Sequence, residues 1–98
     1  MITTPTIDRE LKYLVILHTT TSLHESPYSK VHSTIKSALA LPLEASLKQL
    51  SRIRTGYKTA QTKALTPINR MRYGQILASL AHIRREVLKL VVAAKVTK

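Results

Sequence analysis

The chain is expected to be all-α: a small four-helix protein with two shorter N-terminal helices and a long basic C-terminal helical hairpin. Three observations predict this class. Apolar residues recur at helical spacing along most of the 98 residues, no segment alternates with period two over a useful length, and prolines stand where helices would begin. This length allows one small domain, 1–98, with a neutral helical half, 1–44, and a basic helical hairpin, 45–98.

The first helix is expected over about residues 6–19, with Ile7, Leu11, Leu14 and His18 on one face. Pro5, followed by Thr6, suits its start, and Asp8 and Glu10 sit well at the positive end of the helix dipole. The polar stretch Thr19 to Glu25 breaks the pattern, because consecutive Thr residues lose side-chain freedom in a helix and compete for its backbone hydrogen bonds. The second helix, about 27–41, begins at Ser26-Pro27 and aligns Tyr28, Val31, Ile35 and Leu39.

The third helix, about 43–65, follows Pro42 and runs Leu43, Leu47, Leu50, Ile53 or Arg54, Tyr57, Ala60 and Ala64. The fourth, about 67–96, follows the Thr66-Pro67 start and uses Ile76, Leu80, Ile83, Val87, Leu90 or Val91 and Ala94, with Leu77 beside them. Gly56 and Gly74 fall inside these two patterns, and each weakens a helix by about 1 kcal/mol relative to Ala. Each marks a kink, a helix end, or a close approach of another group.

Composition narrows the class further. The apolar side chains are nearly all aliphatic, with no Phe or Trp and four Tyr. A small core without large rings is thin, so self-association or residence in a larger assembly is expected. The neutral half would supply the subunit contacts through Leu11, Leu14, Val31, Ile35 and Leu39. Absence of Cys excludes disulfides and thiolate metal sites. Apolar runs are too short for a signal-peptide core or a membrane span, which suggests an intracellular protein or one inside a virion, not a secreted one.

Charge carries the functional expectation. Residues 1–44 hold four Lys or Arg against four acids, whereas residues 45–98 hold twelve against Glu86 alone. From Ala45 to Arg85 there is no carboxylate, while Lys48, Arg52, Arg54, Lys58, Lys63, Arg70, Arg72, Arg84 and Arg85 accumulate, with Lys89 just beyond. Solvated helix faces normally mix signs, since like charges repel. This imbalance asks for an external polyanion, and the phosphate backbone of nucleic acid is the natural one. Those ten cations are the expected phosphate contacts; if the long helices form a hairpin, their outer faces would merge into one positive surface.

The function expected is structural: coating or compacting DNA or RNA, largely without sequence preference, as an oligomer of nucleoid or virion nucleocapsid type. The alternative is a non-enzymatic scaffold subunit of a larger assembly that docks an acidic partner. No zinc-finger spacing, RNA-recognition aromatic motif or basic zipper is present. Tyr57 and Tyr73 are either base-stacking groups or core. His18, His24, His32 and His82 lack metal-ligand spacing, and no glycine-rich elbow or phosphate loop accompanies the Ser and Thr residues. An enzyme, a metal site and a cofactor are therefore not expected.

Overall fold

The computed structural model describes residues 4–20 and 30–96, the side chains of 18–20 excepted. It is all-α, with α1 Pro5–Thr20, α2 Val31–Leu39, α3 Leu43–Lys63 and α4 Pro67–Val96, and no strand among the described residues. The molecule extends 48 × 24 × 17 Å, and the 30 residues of α4 run about 45 Å, nearly the full length.

Two of the helix starts obey one rule. Thr4 and Thr66 each precede a proline, and their Oγ1 atoms accept from the backbone N–H of Ile7 (3.2 Å) and Asn69 (3.3 Å). Pro42 stands one position earlier than its counterparts: it is the residue before α3, and its carbonyl accepts the first helical bond from Ser46 N at 2.8 Å. The second helix departs from expectation, starting at Val31 rather than near 27. Lys30, outside the helix, accepts the first helical bond from Thr34 N (3.0 Å), with Thr34 Oγ1 donating to the same carbonyl at 2.7 Å. The expected Ser26-Pro27 start, Tyr28 and the break over 21–25 lie outside the described residues, as does the side chain of His18.

Cross-helix contacts fix the direction of each element. Along α3 and α4, Glu44 meets Lys95, Ser51 meets Arg84, Tyr57 meets Tyr73 and Gln61 meets Arg70, so the two run antiparallel. Thr6 bonds Glu86 and Glu10 meets His82, so α1 runs antiparallel to α4. The short turn after α2 folds it back on α3, and α1 also touches α2. The result is an up-down-up-down bundle.

Its core is aliphatic. Ile7, Leu11, Leu14, Val31, Ile35, Leu39, Leu50, Ile53, Ile76, Leu80, Ile83, Val87 and Val91 are buried together with Ala38. Leu11, Leu14, Val31, Ile35 and Leu39 are thus used inside the protomer, which corrects their expected role as subunit contacts: they close α1 and α2 onto their own hairpin. Ala94 is exposed, although it lines a shallow hollow with Leu43 and Glu44 at the start of α3. Ser46 and Ser79 are buried where only aliphatic side chains were expected, and Ser46 Oγ has no hydrogen-bond partner.

Neither glycine ends its helix or takes a positive φ. A Cβ on Gly56 would meet nothing, but one on Gly74 would lie 3.3 Å from Gln61 Nε2, so Gly74 makes room for Gln61 to cross to the Arg70 carbonyl.

An unpaired buried hydroxyl costs about 1–3 kcal/mol. Ser46→Ala is therefore expected to raise stability by about 1 kcal/mol, whereas Leu80→Ala lowers it by about 3 kcal/mol. Urea unfolding with an unchanged slope reads both, and a destabilised Ser46→Ala would contradict this packing.

Candidate nucleic-acid interface

Each carboxylate among the described residues already has a base beside it. Asp8 pairs with Lys12 at 3.0 Å, Glu10 with His82 at 2.9 Å, Glu86 with Lys89 at 3.6 Å and Glu44 with Lys95 at 3.6 Å. None of these partners is one of the nine Lys and Arg residues between Ala45 and Arg85. Three of the nine are engaged with neutral groups. Arg84 Nε donates to Ser51 Oγ at 2.9 Å, Arg70 Nε to the Ala64 carbonyl at 3.1 Å, and Arg72 Nη1 to Asn69 Oδ1 at 3.5 Å. The side chains of Lys48, Arg52, Arg54, Lys58, Lys63 and Arg85 belong to exposed residues and form no ion pair or hydrogen bond with the described residues.

Helix geometry sorts these groups. Successive residues turn by about 100°, so on α3 Lys48, Arg52 and Lys63 fall within about 60° of one another, directed away from the buried Leu50. Arg54 and Lys58 lie on the side of α3 that carries Ser51 and Gln61, the side facing α4. On α4, Arg70 and Arg84 lie along the edge facing α3, and Arg85 points outward next to them. Lys48, Arg54, Lys58, Arg70 and Arg84 therefore share the back of the hairpin, whereas Arg85 lies at the corner that Thr6 and Arg9 of α1 also line.

The other five, Arg85 included, are placed differently. Arg52 and Lys63 turn toward the flank beside α2, and Lys89 sits at the outer corner beside α1, held by Glu86. Arg72, half-buried, points about 140° away from Arg85. The expected single surface is thus a back face of five cations with wings, and Arg72 lies on the opposite side of the tip.

Sequence spacing does not reveal what orients the guanidinium groups. Ser51, whose hydroxyl also donates to the Leu47 carbonyl at 3.0 Å, fixes Arg84 across the α3–α4 seam. Such a partner is set by the register between two helices, which spacing within one helix does not encode. Tyr57 and Tyr73 pack on the core and on each other, with ring centroids 6.2 Å apart and planes tilted by 41°. Burial, and then Tyr73 beside it, pushes the Tyr57 phenol above its usual range. Both rings are partly buried and packed against the core, which favours a packing role over base stacking.

One titrating group clasps α1 to the edge of this surface. The hydroxyl of Thr6 donates to Glu86 and lowers its carboxyl below the ordinary range; burial opposes this, and Lys89 and Arg85 add to the lowering. A carboxylate lowered in the folded state contributes stability above its unfolded value, and that contribution is lost as pH falls through the folded value. Thr6→Val is expected to move the Glu86 titration upward, toward the normal carboxylate range, as read by carboxyl carbon chemical shifts. An unmoved titration would remove Thr6 as the main cause.

Among the described residues no three His, Asp or Glu side chains gather as a metal site, and no helix is long and apolar enough to cross a membrane. Compared with known protein families, curated proteins and solved structures, the chain matches none.

Proposed function

We propose that the protein is a structural nucleic-acid-binding protein that coats or compacts DNA or RNA through phosphate contacts, with little sequence preference and as an oligomer. Nucleoid proteins and virion nucleocapsid proteins are the types it fits. One observation supports the reading: nine Lys and Arg residues of α3 and α4 form no ion pair with a carboxylate among the described residues, while each described carboxylate is paired with another base. Two like charges about 10 Å apart repel by roughly 0.4 kcal/mol in water before screening, and nine of them multiply that into a standing cost. A phosphate backbone removes the cost and releases its own counter-ions on binding.

Arg, which grips phosphate with a planar fork, makes up six of the nine. The reading is non-enzymatic and uses no metal or cofactor. Because the expected subunit contacts are consumed in the core, contacts between copies fall instead to the exposed face of α1, where Tyr13, Val15 and Ile16 stand on the neutral half.

Contact with about six phosphates gives a slope of log K against log salt near −5. Titrations with duplex DNA, single-stranded DNA and duplex RNA, with particle mass measured alongside, are expected to show that slope on the preferred form. Arg52→Glu combined with Arg85→Glu should abolish retention at about 150 mM salt while helicity is unchanged. A parent that fails to bind any of the three at that salt, or that holds an acidic protein more tightly than all of them, would overturn the reading.

A further inference from the structure

The turn joining α3 to α4 presents apolar side chains within the acid-free segment. Leu65 is 93% exposed, Met71 56% and Ile68 50%. Lys58, Lys63, Arg70 and Arg72 flank them in sequence, and the nearest acids along the chain are Glu44 and Glu86. A single exposed leucine is ordinary. This one is held out by a built turn. Ala64 N donates to the Gln61 carbonyl at 3.3 Å, Arg70 Nε to the Ala64 carbonyl at 3.1 Å, and Gln61 Nε2 to the Arg70 carbonyl at 3.2 Å. Thr66 Oγ1 caps the start of α4 through Asn69 N. Residues on both sides of Leu65 are thereby fixed, so little order remains to be gained when the tip meets a ligand.

We propose that this tip is a wedge for duplex DNA. Leu65, backed by Ile68, enters between two base pairs from the minor groove and kinks the duplex, while Lys63 and Arg70 hold phosphates on either side. The proposal rests on the nucleic-acid reading above and deepens it. Aliphatic wedges set among cations are how proteins unstack a base step and bend DNA, exchanging lost stacking for added backbone contact. Arg70 spends only Nε on the Ala64 carbonyl, so its two Nη groups have no partner among the described residues.

Charge and shape favour this occupant over others. A second copy would bring Lys58, Lys63, Arg70 and Arg72 against their own kind. Single strands are gripped by stacking on aromatic rings, and the rings nearest the tip, Tyr57 and Tyr73, are packed on each other and the core. Duplex RNA offers a wide, shallow minor groove that gives an aliphatic wedge little to grip.

The test uses the full chain and a duplex of about 30 base pairs with a central TA step, labelled at both ends for energy transfer. The parent is expected to bring the ends together through a kink of about 20–90°. Leu65→Ser with Ile68→Ser should keep helicity and salt slope and lose at most about threefold in affinity, yet lose more than half of the energy-transfer change. A parent that binds with the expected salt slope and leaves the duplex straight overturns the wedge and leaves the phosphate reading intact. A parent that does not bind duplex DNA overturns both. A double variant that bends DNA as the parent does, but dissociates the oligomer or releases an acidic protein, assigns the tip to protein contact and overturns the wedge.

Discussion

Two of the other three helices pack directly on one stripe of α4, and α2 packs in turn on them. Ile76, Leu80, Ile83, Val87 and Val91 recur at three- and four-residue intervals and are all buried, forming the line along which α1 and α3 both pack. Aliphatic side chains pack this line without polar atoms to satisfy, so apart from the buried Ser46 and Ser79 the polar side chains are left to the outside and to the seams. Each fully buried aliphatic chain is worth about 1.5–3 kcal/mol, so a handful of them outweighs any surface ion pair, which contributes about 1 kcal/mol at most. Shape is therefore decided by the apolar stripe, and charge is free to serve something else.

How the acids are used follows from that freedom. Glu10 and Glu86 face the α1–α4 seam, where they meet His82, Thr6 and Lys89; Glu44 links the start of α3 to Lys95 near the end of α4. All three tie one end of the bundle or one helix pair together, and none reaches the back of the α3–α4 hairpin. That back face is held by neutral donors and acceptors, with Arg84 on Ser51 and Arg70 on Ala64. A protein that needed those arginines only for internal pairing would set carboxylates opposite them. Here hydroxyl and carbonyl oxygens aim the side chains without cancelling their charge.

Much of this was legible in the residues. Aliphatic spacing gave the four helices and their buried faces, and Thr66-Pro67 located the start of α4 because a capping hydroxyl and a fixed φ act locally. The start of α2 at Val31 was not legible, because the residue before it, Lys30, makes no side-chain cap and only its carbonyl takes the first helical bond. The buried Ser46 was hidden for another reason, since burial there is set by what α3 packs against and not by the residue's own polarity. At the site, the identity and number of the cations were plain, but their grouping was not. Whether Arg70 and Arg72 share a face follows from the helical step, whereas which side of α3 meets α4 depends on Ser51, Tyr57 and Gln61 finding Arg84, Tyr73 and Arg70 across the seam.

The tip of the hairpin joins the two halves of this logic. Away from the tip, apolar side chains on α3 are drawn into the core and cations are left outside. At Leu65 the core has ended, and a polar residue would be the ordinary choice for a turn. Three hydrogen bonds around Ala64 and Arg70 instead hold an exposed leucine among like charges, where water gains nothing from it and another cationic surface is repelled. A ligand that is both apolar in its interior and anionic on its outside would satisfy every group at such a tip, and the duplex that we propose, with stacked base pairs within phosphate rails, has that arrangement.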